Sequence, residues 1–132
     1  MQDQKADQSK ILELQILSQN LQNIQAQMQK LDSNLDEFQV LRKSLDELKK
    51  INRDTEIIIP LGQGVFTRGR ITEKNNLLNL VGAEIAVEKS IDETKESVSG
   101  QINSLMKARV ELESEMAKGV EKIQKIQSQI KE

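Results

Sequence analysis

Between Leu14 and Phe38 the apolar positions fall at alternating steps of three and four: Leu14, Leu17, Leu21, Ile24, Met28, Leu31, Leu35 and Phe38. The spacing returns near the other end at Val98, Ile102, Leu105, Leu112, Met116, Ile123, Ile126 and Ile130, with Arg109 and Gly119 interrupting the stripe. An average step of about 3.5 residues puts these side chains on one narrow stripe of a helix, which a single helix in water cannot bury without a partner stripe. Both ends of one chain therefore make a coiled coil.

The first helix is expected over about Ser9 to Asn52 (9–52), a rod of roughly 65 Å at about 1.5 Å per residue. With Leu14 at heptad position a, Leu21, Met28 and Leu35 are further a positions, and Leu17, Ile24, Leu31 and Phe38 are d. At Arg42 the register fails and apolar residues resume one position early at Leu41, Leu45 and Leu48, which predicts a stammer that locally overwinds the coil. The helix should fade around Asn52–Thr55, where side chains that bond their own backbone replace good helix formers.

Residues 56–89 switch to strand chemistry. The β-branched run Ile57-Ile58-Ile59 is followed by Pro60-Leu61-Gly62-Gln63-Gly64, a cluster that turns a chain back, and Val65 to Ile71 is the return strand. After the polar stretch Thr72–Asn76, Leu77–Val81 and Ile85–Glu88 flank Gly82-Ala83-Glu84 as a second hairpin. Two hairpins of about five-residue strands are not stable alone and their edges invite pairing, so the middle is expected to be an assembly module. Its assembly residues are expected to be Ile57, Ile59, Val65, Phe66, Ile71, Leu78, Leu80, Ile85 and Val87.

The second helix (90–131) opens on Ser90-Ile91-Asp92-Glu93, a capping box in which the Ser90 hydroxyl accepts from the third helical amide and Glu93 reaches back. Gly100 and Gly119 each weaken it by roughly 1 kcal/mol against Ala without ending the stripe. The hairpins return the chain to its starting side, so the second helix should lie antiparallel on the first. A single domain over 1–132 is expected, with both termini at the far end of the rod.

Composition narrows the class. The 132 residues are 30% charged with net charge −2, contain two Phe as their only aromatics, and have no Cys, His, Trp or Tyr. A globular core usually carries large aromatic side chains, so an elongated molecule with little deep burial is expected. Without cysteine there is no disulfide framework, which is compatible with a reducing compartment. The polar start Met1–Lys10 does not read as a secretory signal and no apolar run nears the roughly 20 residues of a membrane span. A soluble, cytoplasmic protein is expected. Balanced, dispersed charge implies neither a nucleic acid nor a membrane as partner.

Chemistry-bearing clusters are few. Gly62-x-Gly64 lacks the following Lys-Ser/Thr of a phosphate loop and reads as a turn. The pairs Asp32/Asp36 and Glu111/Glu115, without His or Cys, read as solvated helix faces rather than a metal site. Lys49, Lys50, Arg53, Arg68 and Arg70 form a loose basic group without aromatic interleaving, a solubilising surface or a dock for an acidic partner face. No general base or nucleophile constellation is present, so neither an enzyme nor a cofactor is expected.

Glu56-Ile-Ile-Ile-Pro-Leu-Gly-Gln-Gly-Val-Phe66 and Leu80-Val-Gly-Ala-Glu-Ile-Ala-Val-Glu-Lys89, each adjoining a coiled-coil arm, resemble the two hairpins of prefoldin, specifically its archaeal α class. The resemblance covers the full length, arm lengths included. It implies an α+β fold, a long antiparallel two-helix coiled coil with two central β-hairpins that form a barrel-like oligomerisation platform. It also implies a hexamer of two α and four β-type subunits, an ATP-independent holdase that captures unfolded client polypeptides at coiled-coil tips and passes them to a group II chaperonin.

The tips themselves carry a signal. Ile11, Leu12 and Ile16 fall at e, f and c, off the stripe, so even a fully paired coil leaves them facing water. From Ile11 to Gln29 the one charged side chain is Glu13, and the e and g positions hold Ser18, Gln25, Asn20 and Gln27 in place of ion pairs. Such a seam frays and presents Leu14 and Leu17 as well, while the second helix offers Val120, Ile123, Ile126 and Ile130. These are the expected client-binding residues, a flexible apolar surface rimmed by neutral polar groups. The alternative is a passive coiled-coil scaffold that oligomerises through its hairpins and binds one defined partner. The off-stripe isoleucines favour the chaperone, because a scaffold gains nothing from them.

Overall fold

The computed structural model describes residues 2–131, with side chains placed for residues 5–130. Its elements run α1 (Gln2–Lys50), β1 (Glu56–Gly62), β2 (Val65–Arg70), β3 (Leu77–Gly82), β4 (Ile85–Lys89) and α2 (Ile91–Lys131). The chain divides into two compact units, Met1–Asp36 with Asn103–Glu132, and Glu37–Ile102.

In the first unit the stripes of α1 and α2 cover each other. Leu14, Leu17, Leu21, Ile24, Met28 and Leu31 of α1 are half-buried and Leu35 is buried; on α2, Leu105, Leu112, Met116, Ile123 and Ile130 are half-buried and Ile126 is buried. Contacts run in opposite order along the two helices: Asp32 meets Arg109, Leu21 lies over Gly119, and Leu14 shares a groove with Ile123. The helices are therefore antiparallel, as expected. Helix α1 starts at Gln2 rather than near Ser9, because Gln, Lys and Ala between them propagate a helix and neither Gly nor Pro interrupts it. Gly119 has a packing reason. A Cβ there would lie 2.7 Å from Leu21 Cδ2, so the missing side chain is what lets Leu21 enter the seam.

The second unit is centred on buried Leu45, Ile91, Val98 and Ile102, with Thr94 as a buried polar side chain. Here the expected stammer is not seen. Leu45, which continues the d positions of the unbroken heptad, is 4% exposed, whereas Leu41 is 41% exposed. Leu41 and Leu48 occupy g positions seven apart and line grooves with Leu77 and Asn79 of β3, so their apolar character serves the second hairpin rather than a shifted seam.

Helix α1 ends at Lys50, slightly before the expected fade, and Lys74 Nζ donates to the carbonyls of Lys49 and Ile51 at 3.2 and 2.8 Å. A cation on the last carbonyls satisfies acceptors the helix itself leaves open. The chain then reverses at Asp54 (φ 68°), whose N–H donates to Ile71 O, while Ile71 N–H donates to Thr55 O. Those two bonds extend the first hairpin back to the helix.

The hairpins are separate two-stranded antiparallel sheets, β1-β2 and β3-β4. In the first, Pro60 does not belong to the turn: it sits within β1 opposite Phe66, at a strand whose outer side is unpaired and needs no N–H from it. The turn is Gln63-Gly64, with φ of 51° and 80°, the left-handed values a two-residue hairpin loop requires. The second hairpin turns at Ala83-Glu84, with Glu84 at φ 64°. Helix α2 begins with the predicted box: Glu93 N–H donates to Ser90 Oγ at 3.0 Å and Ser90 N–H to Glu93 Oε1 at 3.4 Å.

Candidate functional site

Two surfaces combine exposed apolar side chains with backbone or polar groups able to meet another chain. One is the end of the first unit. Ile11, Leu12 and Ile16 are 48%, 58% and 55% exposed there, as their off-stripe heptad positions require. Val120 joins them on the surface, and Leu14, Leu17, Ile123 and Ile130 are half-buried on the stripe. Ile126 differs from the rest: its d position places it in the seam, where it is buried and is not offered to a partner while the helices stay paired.

Two grooves flank this stretch on opposite edges. Ile11, Leu14 and Ile123 floor the first, of about 470 Å³, whose remaining lining is Gln15, Ser18, Gln19, Gln22 and Gln127, without a charged group. The second, of about 250 Å³, has Leu17, Leu21 and Ile24 under Asn20, Glu115, Lys118 and Lys122. The sequence shows neutral amides along α1 but not that α2 supplies charge to one edge and withholds it from the other.

Arg109, an interruption in the apolar stripe, has a partner. Its Nε donates to Asp32 Oδ1 at 2.7 Å and its Nη1 to Glu113 Oε1 at 2.5 Å. The Asp32 hydrogen bond, then the charges of Asp32 and Glu113, raise its already high pKa. Asp32 is thus an ion-pair partner of Arg109, and among the described residues no group of three or more carboxylates is placed to hold a metal. An Arg at an a position opposite an acidic e position is the signal that finds this pair.

The second surface is the hairpins of the other unit. Cross-strand partners share a face, so Asn79 and Val87 lie on one face of the second hairpin and Leu80 and Ala86 on the other. Asn79 Nδ2 donates to Thr94 Oγ1 at 3.2 Å, and Thr94 Oγ1 donates to Ser90 O at 2.9 Å, so the Asn79 face rests on the start of α2. Leu78 and Leu80 point away and are 74% and 78% exposed. Ile59, Val65, Phe66, Ile85 and Val87 are exposed, Ile57 and Ile71 half-buried. Among the described residues neither sheet closes into a barrel.

Ion pairs join the helices of this unit. Lys95 bonds Asp46, and Lys49 Nζ bonds Asp92 Oδ1 at 2.9 Å. The hydrogen bond from Lys95 holds the Asp46 carboxyl below its ordinary range, the one from Lys49 does the same to Asp92, and Lys49 is raised by that bond in turn. Within the basic group read from sequence, Lys49 pairs with Asp92, Arg68 lies 3.8 Å from Glu56, and Arg53 Nε donates to Thr72 O at 3.0 Å, all at exposed positions. Gly62 ends β1 and Gly64 is the second turn residue, both with positive φ, and the turn leads into a strand rather than a helix start that could hold a phosphate. Among the described residues no helix is long and apolar enough to cross a membrane.

The family model described as "Prefoldin subunit" matches residues 17–132. "Prefoldin subunit alpha" of Pyrococcus horikoshii is 44% identical over 89 residues, 61% of this chain and 60% of that protein. "Prefoldin subunit alpha 1" of Methanocaldococcus jannaschii is 31% identical over 119 residues, covering 88% and 81%. The first of these matches thus spans about three-fifths of the relative's length. Among solved structures, the cryo-EM structure of filamentous PFD from Methanocaldococcus jannaschii aligns with a TM-score of 0.77 at 18% identity over 87% of this chain and 95% of that one, a likeness of fold.

Proposed function

The chain belongs to the prefoldin family, with the two hairpins of its archaeal α class, and we propose that it is a subunit of an ATP-independent chaperone that holds unfolded polypeptides. The observation that carries this reading is the exposed Ile11, Leu12 and Ile16 beside a seam edged on one side by the neutral Gln15, Ser18, Gln19 and Gln22. Each such side chain covered by a client contributes up to about 1.5–3 kcal/mol of apolar burial. No directional chemistry restricts the client, so chains of unrelated sequence compete for the same end.

The hairpins supply assembly. Each two-stranded sheet leaves its outer edges unpaired and one apolar face uncovered, a state that a small isolated sheet does not sustain in water. Prefoldin β-type subunits, four with two copies of this chain, are the partners proposed to complete these edges. Several client-holding ends then act on one polypeptide at high effective concentration, which tightens capture without tight single contacts. Release to a group II chaperonin, in the cytoplasm, follows from the same reading.

The deciding experiment dilutes several unrelated denatured proteins into the complex formed with a coexpressed β-type subunit, without nucleotide, and follows light scattering. Suppressed aggregation of all of them is expected, and native mass spectrometry gives the subunit count. Protection of one protein alone would instead identify a scaffold with a defined partner.

A further inference from the structure

Helix α1 presents an uninterrupted ladder of neutral polar groups along one edge of the first unit. Gln15, Ser18, Gln22, Gln25 and Gln29 follow one another at steps of three and four, which keeps them on one side of a helix. All are exposed. On α2 the same edge carries Gln127 and, seven residues earlier, the exposed Val120. The ladder stops at Asp32, where the cluster with Arg109 and Glu113 places charge across the edge. From Ile11 to Asp32 the edge is roughly 30 Å long by helix rise. The opposite edge differs over the same stretch, because Glu115, Lys118 and Lys122 line its groove.

A side-chain amide both donates and accepts, so it can satisfy the N–H and C=O of a backbone that has no partner strand. A carboxylate or ammonium does only one of these and must be desolvated when an apolar segment covers it. Resting on the client-holding reading above, we infer that the client lies along this one edge, as an extended uncharged segment whose backbone bonds the glutamine amides while its apolar side chains enter the groove floored by Ile11, Leu14 and Ile123. At about 470 Å³ that groove is within the roughly 300–1,000 Å³ of ligand clefts. The edge has room for about nine residues at roughly 3.4 Å each. The Arg109 cluster closes it, so clients engage the edge from its open end.

The test uses the assembled complex and a fluorescently labelled, unstructured peptide of Leu, Val, Asn and Ser without charged side chains, with binding read by anisotropy. The isosteric pair Gln15→Glu and Gln22→Glu keeps every apolar residue and alters one edge. It should weaken the uncharged peptide by roughly fivefold or more, since each carboxylate loses its amide donor and resists desolvation. The same complex should bind better a version of the peptide with interspersed Lys. The matched pair Asn20→Asp and Gln27→Glu, on the other edge, should leave binding within about twofold, surface charge changes being small there. Circular dichroism verifies that both pairs keep their helices. Equal losses from both edges, or no loss from Gln15→Glu/Gln22→Glu while deletion of residues 1–16 abolishes binding, would overturn the edge and leave the client-holding end standing. Unchanged binding after that deletion would overturn both.

Discussion

The two units of this chain use the same pair of helices in different ways. In the unit holding the hairpins, Lys95 bonds Asp46, Lys49 bonds Asp92, the Ser90 box caps α2, Lys74 caps α1, and Asn79 bonds buried Thr94. In the other, the described side chains offer one ion cluster, around Arg109, and beyond it an apolar seam with neutral amides along one edge and Glu115, Lys118 and Lys122 along the other. Directional bonds give one unit a single arrangement able to present strand faces in a fixed orientation. The other is held by non-directional apolar burial along its seam. The proposed assembly surface and the proposed client surface thus use the same heptad with different flanking residues.

Breaking the hairpin face is expected to have the largest effect. Leu78→Lys with Leu80→Lys places two charges on the most exposed apolar strand positions while leaving the Asn79 face intact. The complex should dissociate, seen by native mass spectrometry as loss of the full-mass species, because charged groups are not desolvated against a neighbouring sheet. Next, removing residues 1–16 deletes Ile11, Leu12 and Ile16 but touches no hairpin residue. Client protection in light scattering should fall sharply with the mass of the complex changed only by the truncation. If both variants lost assembly, the division of labour between the units would be wrong.

Core truncation sharpens the same contrast. Leu45→Ala in the hairpin unit removes a buried side chain from a site pinned on several sides and should cost about 2–5 kcal/mol. Ile126→Ala, buried near the end of α2, should fall at or below the low end of that range, since a two-helix seam has few neighbours to hold a cavity open. Thermal midpoints of the two variants in the assembled protein compare them.

The smallest effect is acid sensitivity. Hydrogen bonds from Lys95 and Lys49 hold Asp46 and Asp92 below their ordinary pKa, so their stabilisation is present above the unfolded value near pH 4 and is lost as pH falls through the lower folded values. The wild-type thermal midpoint should drop more between pH 5 and pH 2 than that of Asp46→Asn/Asp92→Asn. Equal drops would show that these pairs contribute nothing, as many exposed ion pairs do.

Features that depend on residues near one another in the chain were legible in sequence. Apolar steps of three and four fix a helix stripe, Ser90-x-x-Glu93 fixes a helix start, and off-stripe Ile11, Leu12 and Ile16 face water whatever covers the stripe. Local periodicity also gives the hairpins, though not the place of Pro60, because whether a strand tolerates proline depends on whether its N–H side is paired. What needs the other helix or the other hairpin was not legible. Leu41 and Leu48 read as a register break until β3 is found beside them, Arg109 and Gly119 read as faults until Asp32 and Leu21 meet them, and the faces of Asn79 and Leu80 are equivalent until Thr94 chooses between them. The neutrality of one edge and the charge of the other follow from which residues the antiparallel pairing brings opposite each other, a juxtaposition of positions roughly a hundred residues apart that no local pattern encodes.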